Sequence, residues 1–153
     1  MENDTSEVMV NDLSLVKGQR RKAVLHWSAA TLDAWKWRRR KHTIPADNNL
    51  YAKRLILCRI YVNAESGVET SLMRLVEEVA PELCSKATAL RIIRKLVARG
   101  MVDIRDGVRG RRVVMNPSFN DTYLPVVESA IDALERHGFV FQFEPSSRLI
   151  VVK

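Results

Sequence analysis

The stretch over residues 85–102, SKATALRIIRKLVARGMV, places four cations on one side of a helical pattern. Ala89, Ile92, Ile93 and Leu96 fall at i, i+3, i+4 and i+7 and form one apolar stripe. Lys86, Ala87, Leu90, Arg91, Arg94 and Lys95 share the opposite side. Cationic groups arrayed this way bind phosphate, and an arginine can also grip the O6 and N7 acceptors of guanine with two parallel hydrogen bonds. Ala87 and Thr88 are small enough to let the start of such a helix approach base edges. Arg91 is the candidate for guanine, Thr88 or Leu90 for a thymine methyl, and Arg94 and Lys95 for phosphate. Ser85 stands where an N-cap belongs, and Gly100 where a helix stops. The competing reading is an amphipathic surface helix whose charged side is merely solvated.

The distribution of charge favours the first reading. The chain has 153 residues, 25 of them basic and 18 acidic, for a net charge of +7. Residues 17–42 hold nine bases against one acid, and residues 85–116 hold nine against two, so blocks of +8 and +7 alternate with acidic ones. A solvated surface mixes its signs, whereas segregated basic blocks fit a polyanionic partner. Within the first block, Trp35-Lys36-Trp37-Arg38-Arg39-Arg40-Lys41 interleaves aromatic rings with cations. Arg38, Arg39 and Arg40 are candidates for a second DNA contact, an RNA-stacking arm or a minor-groove element. The other reading of this run packs Trp35 into a dimer core and leaves the basic end in water. In the second block Arg109 lies between Gly107 and Gly110, and Arg111 and Arg112 follow. Arg109 is well placed for a minor groove.

Other chemistries lack their residues. No Gly-x-Ser-x-Gly, Walker loop or His-Glu-x-x-His occurs, so nothing in the sequence points to an enzyme. Glu77 and Glu78 are adjacent, not on one face, and read as solvated charges. His26, His42 and His137 have no partner at ligand spacing and read as surface or capping residues; no metal or cofactor is expected. Cys58 and Cys84 are too few for a multi-bridge scaffold and lack zinc-site spacing. Cys84 precedes a helix N-terminus, where a thiolate is stabilised, yet both cysteines read as structural rather than as redox switches. The acidic N-terminus leads into no apolar segment, and Arg59 interrupts the longest apolar stretch, residues 55–62. Neither a secretory signal nor a membrane contact is expected, and a cytoplasmic location is.

Positioning these residues calls for a mainly α fold with small β-hairpins. A flexible acidic tail over 1–18 leads into a basic helix from 19 to 41, marked by Val24, Trp27, Thr31 and Trp35, and then a linker with Pro45 and Asp47. A second helix spans 49–64, with Leu50, Ile56 or Leu57, Ile60 and Tyr61 on its buried face. A short third helix starts near Thr70 or Ser71, carries Leu72, Leu75, Val76 and Val79 as its stripe, and stops before Pro81. The cationic helix runs to Arg99. Alternation over 101–105 and 111–115, around a glycine-marked loop, gives the hairpin, stopped by Asn116-Pro117. Residues 118–153 supply a fifth helix, about 121–136, and a C-terminal hairpin. Helices followed directly by a basic hairpin are the layout of a winged helix-turn-helix over 49–117 with flanking helices, its recognition helix entering the major groove of duplex DNA.

The cationic segment resembles the recognition segment of the MarR family of winged-helix transcriptional regulators, which typically reads Ser-Lys-Ser-Thr-Val-Thr-Arg-Leu-Val-Asp-Arg-Leu-x-x-x-Gly-Leu-Val. Ser85, Lys86, Thr88, Arg91, Leu96 and Gly100 match it in register, and the resemblance covers residues 55–117. It implies sequence-specific binding of double-stranded DNA by a homodimer built from the flanking helices, with a small-molecule or oxidant effector left open. Three features depart from the family. The turn over 80–84 is longer than usual, Leu90 replaces a small polar residue, and the short hairpin tip lacks the usual Asp-x-Arg. Two other functions are compatible with the same fold: a DNA-binding protein of plasmid or phage replication or partition machinery, and a winged-helix protein-interaction module.

Overall fold

The computed structural model describes residues 4–41, 48–138, 140–143 and 149–152. Its elements in chain order are helix α1 (Asp4–Arg40), helix α2 (Asn48–Glu65), strand β1 (Thr70–Ser71), helices α3 (Leu72–Val79) and α4 (Lys86–Ala98), strands β2 (Val102–Gly107) and β3 (Gly110–Met115), helix α5 (Ser118–Arg136), and strands β4 (Val140–Phe143) and β5 (Leu149–Val152). The class is mainly helical, with a small three-stranded antiparallel sheet and a separate two-stranded one. The chain divides into two compact units, Ser28–Leu124, and Met1–Trp27 together with Pro125–Lys153.

In the unit Ser28–Leu124, apolar side chains recur at helical spacing and bury one face of each helix. Leu55, Ile56 and Ile60 come from α2, Leu75, Val76 and Val79 from α3, and Ala89, Ile93 and Leu96 from α4. Burying a side chain the size of Ile93 or Leu96 contributes about 1.5–3 kcal/mol. Strand β3 is central in the sheet, with β1 and β2 antiparallel on either side. Val113 pairs with Thr70 of β1 and with Ile104 of β2. The end of α1 and the start of α5 belong to this unit as well, through buried Leu32, Trp35, Phe119 and Tyr123.

Several boundaries differ from expectation. The acidic tail is largely helical: α1 starts at Asp4, not near residue 19. Gly18 reads as a break, but one glycine costs a helix only about 1 kcal/mol, and acidic residues suit a helix N-terminus. Leu50 of α2 is 58% exposed, and Ala52 and Leu55 join Ile56, Ile60 and Tyr61 on the buried side instead, where Cys58 also lies as a structural cysteine should. Ile92 is half-buried at the edge of the α4 stripe. β1 was not expected, and α5 starts three residues early, at Ser118. The hairpin strands extend to Gly107 and Gly110, leaving a two-residue tip of Val108 and Arg109. Gly110 has φ +111, and Gly107 lies so close to the Gly110 carbonyl that a β-carbon there would meet it at 2.9 Å. The linker turn over 42–47, His42, Phe139 and residues 144–148 lie outside the described residues.

In the other unit Ala23, Val24, Val127 and Ile131 are buried. Arg20 of α1 pairs with Asp132 of α5 and lies 3.8 Å from Glu135. The hydrogen bond to Asp132 raises the Arg20 pKa, against the opposing effect of burial. β4 and β5 pair from Val140 with Val152 to Phe143 with Leu149, where the C-terminal hairpin was expected.

Candidate nucleic-acid interface

Local chemistry fixes α4. Ser85 takes an extended conformation, and its hydroxyl accepts the Thr88 N–H at 3.1 Å while donating to Thr88 Oγ1 at 3.0 Å. One of the orphan donors of the first turn is thereby satisfied. At the other end Gly100 adopts φ +73, as a helix-ending glycine does. The Gly100 carbonyl accepts hydrogen bonds from Asn116 Nδ2 at 3.0 Å and Ser118 Oγ at 2.7 Å. These bonds join the end of α4 to the end of β3 and the start of α5, so the helix and the hairpin are held in one frame.

Of the residues expected on the nucleic-acid side, Ser85, Lys86, Ala87, Arg91, Arg94 and Lys95 are exposed, and Thr88 and Leu90 are half-buried. Among the described residues Lys86, Arg91, Arg94 and Lys95 make no ion pair. Their charge is therefore not neutralised by any described residue.

The exposed side of α4 is flanked by two grooves. One, about 320 Å³, lies against the start of α2 and is lined by Lys53, Thr88, Arg91, Lys95 and Arg99, with Asn49 and Leu50 from α2. The other, about 360 Å³, lies against the hairpin and is lined by Leu90, Arg94, Arg109 and Arg111, with Met73 of α3. Among the described residues no aspartate or glutamate lines either groove. Lys53, Arg99 and Met73 were not expected here. Arg99 continues the i, i+4, i+8 row of Arg91 and Lys95, a signal present in the sequence. Lys53 and Met73 arrive by tertiary packing alone.

The hairpin arginines divide by environment. Arg109 is exposed at the tip beside a fully exposed Val108. Arg111 is exposed, with Asp106 at a loose 3.9 Å. Arg112 is bonded to Glu69, and its Nε is buried without a hydrogen-bond partner. Arg112 therefore braces β3 against the segment before β1, and its charge is already matched.

The aromatic–cationic run at the end of α1 is largely built into the fold. Trp35 is 1% exposed and donates its Nε1–H to the Glu78 carbonyl at 2.8 Å. Arg39 pairs with Glu82 at 2.6 Å, donates to the Glu77 carbonyl at 3.2 Å and lies 5.9 Å from the Trp35 ring centre. Arg38 lies over Tyr51 at 5.5 Å, and Arg40 is exposed. Burial by itself would raise the Glu82 carboxyl, but hydrogen bonds, with Arg39 foremost, outweigh it and hold the group below its ordinary value. Glu78 is not a solvated charge: it pairs with Arg59 at 3.0 Å.

A buried polar cluster joins α1, α2 and α5. Ser28 Oγ and Tyr123 OH hydrogen-bond to each other, and Tyr123 OH reaches Cys58 Sγ at 3.4 Å. Tyr123 stacks at a tilt on Tyr61 and Phe119, at 5.0 and 5.3 Å. Burial pushes both the Tyr123 hydroxyl and the Cys58 thiol above their ordinary values. Cys84 is also raised by burial, which overrides the thiolate stabilisation expected beside a helix N-terminus.

Among the described residues no group of three acidic, histidine or cysteine side chains could hold a metal ion, and no helix is long and apolar enough to cross a membrane. Comparison of the chain with protein-family models, curated proteins and solved structures gives no match.

Proposed function

We propose that the segment from α2 through β3 is a winged helix-turn-helix, that it binds double-stranded DNA with α4 in the major groove, and that the chain is a MarR-like transcriptional regulator acting as a homodimer. The observation that carries this reading is the cationic side of α4, whose Lys86, Arg91, Arg94 and Lys95 pair with no described residue and whose two flanking grooves carry no carboxylate among the described residues. A helix about 10–12 Å across with its side chains matches a major groove about 12 Å wide. Lys86, Ala87, Thr88, Leu90 and Arg91 lie in the first half of α4, which meets base edges. Arg94, Lys95 and Arg111 meet phosphate, and Arg109 at the tip reaches the sugar-phosphate strand that separates the major groove from the neighbouring minor groove.

The homodimer follows from the resemblance and from reach, because one recognition helix covers only a few base pairs. Two of them one helical turn apart, about 34 Å, give an operator-sized site.

The experiment is a salt titration of binding to a duplex isolated from a random library by affinity selection, read by fluorescence anisotropy. Log affinity falls linearly with log salt, with a slope of about −5 to −10. A flat response refutes the reading and favours a winged helix that binds protein.

A further inference from the structure

Resting on that DNA-binding reading, we propose that the two cationic grooves beside α4 hold the two different sugar-phosphate strands that border the major groove, with Lys53 of α2 and Arg99 as phosphate contacts on one strand and Arg94 and Arg109 on the other.

The argument begins with helix geometry. At 100° per residue Lys95 and Arg99 fall on one flank of α4, while Leu90 and Arg94 fall on the other. The first flank faces the start of α2, and the second faces the hairpin. A helix lying in the major groove has one phosphate strand on each side, so a flank that carries charge faces one strand only. Each groove draws its remaining cations from a separate element: Lys53 from α2 in one, and Arg109 and Arg111 from the hairpin in the other, Arg111 with Asp106 at 3.9 Å. Among the described residues Lys53, Arg99, Arg94 and Arg109 make no ion pair. A cation that makes no ion pair is available to displace a counterion from a phosphate, and each such contact adds about 0.9 to the salt slope; Arg109 also borders a hairpin groove that Glu69 and Asp106 line, without pairing with either. A rigid clamp on both strands also fixes the rotation of α4 about its axis, and thereby which side chains meet the base edges.

Strand-resolved neutralisation tests this. A duplex carrying the selected site is made with uncharged methylphosphonate linkages at single positions of one half-site, on either strand. Wild-type protein is compared with Lys53→Gln/Arg99→Gln and with Arg94→Gln/Arg109→Gln; all four side chains lie at the surface, and circular dichroism checks that each variant keeps its helices. We expect each pair to lower the salt slope by about 2. Lys53→Gln/Arg99→Gln should become insensitive to methylphosphonates on one strand while keeping sensitivity on the other, and Arg94→Gln/Arg109→Gln should show the reverse. The proposal is overturned, with DNA binding intact, if both variants lose sensitivity on the same strand. It is equally overturned if Lys53→Gln/Arg99→Gln keeps the wild-type slope and strand pattern. If wild-type protein binds no duplex in a salt-dependent way, the underlying DNA-binding reading itself has failed.

Discussion

Tyr123→Phe removes one oxygen atom from a site where it joins two buried side chains, and its effect can be worked out in advance. Ser28, Cys58 and Tyr123 are all 5% exposed or less. The Tyr123 hydroxyl shares a hydrogen bond with Ser28 and reaches Cys58. A net hydrogen bond is worth about 1 kcal/mol, and stripping a partner from a buried polar group costs about 1–3 kcal/mol. The ring itself stays, so its contacts with Tyr61 and Phe119 are kept. The expected loss is about 2 kcal/mol. Ser28→Ala alone should cost a similar amount, because it strips the same bond from the other side. The double variant should cost less than the sum by about 1 kcal/mol, since the shared bond that the second substitution would break has already gone. Urea denaturation of the four proteins, at equal m-values, reads this coupling directly. Additivity of the two single losses to within about 0.3 kcal/mol would refute the hydrogen bond and the buried cluster built on it.

Three further outcomes follow. Ser85→Ala should destabilise the fold by about 1 kcal/mol in urea, with faster exchange of the Thr88 amide, whereas Ser85→Gly should cost only a few tenths. The Glu82 carboxyl is lowered in the folded state, so its contribution is fully present above the ordinary glutamate pKa of about 4.3 and is lost as pH falls through the lower folded value; thermal melts should show wild type losing more stability on acidification than Glu82→Gln. Burial raises both thiols, so in native protein at neutral pH Cys58 and Cys84 should react with a thiol reagent many-fold more slowly than in urea-unfolded protein; native reactivity equal to the unfolded chain would refute that.

The parts of this fold legible in the sequence are those whose signals are local. Ser85, the Ala89–Ile93–Leu96 stripe and Gly100 specify α4 by cap, period and stop. The four apolar residues expected in α3 are the four that are buried. The parts that were not legible depend on distant partners. β1 is two residues long and has no period of its own; it exists by pairing with β3, forty residues later. Arg112 looks like a hairpin cation until Glu69 is brought beside it. Arg39 looks like a nucleic-acid contact until the segment after α3 delivers Glu82. Lys53 has the opposite history, an unremarkable helix cation that packing carries to the flank of α4. In each case composition is visible in the sequence, but the identity of the neighbour that neutralises or adds charge is not.

The proposed homodimer rests on the resemblance and on the reach of one recognition helix, and not on surplus apolar surface. In the sequence, Trp27 and Trp35 of the first helix and Val126, Val127, Ile131 and Leu134 of the fifth read as more apolar side chain than a small winged core can bury, and so as a surface for a partner subunit. Trp35, Val127 and Ile131 are instead at most 6% exposed within one chain, Trp27 and Leu134 are half-buried, and only Val126, 67% exposed, is still open. The surplus vanishes because α1 and α5 are not appendages: Leu32, Trp35, Phe119 and Tyr123 fill the same unit as α2, α3 and α4. What argues for two copies is then the recognition problem. Bonds from Trp35 and Arg39 tie the end of α1 to the end of α3, and bonds from Ser118 tie the start of α5 to the end of α4. A second chain bound through residues 28–40 of α1 or 118–124 of α5 would therefore hold its own α4 at a fixed distance, which is what a two-fold site demands. Light scattering of the free protein should give twice 17.5 kDa, and footprints should show two half-sites with centres about 10 base pairs apart. A monomer protecting one unrepeated site would refute the dimer while leaving the DNA-facing side of α4 untouched, and would favour a replication or partition protein over a MarR-like regulator.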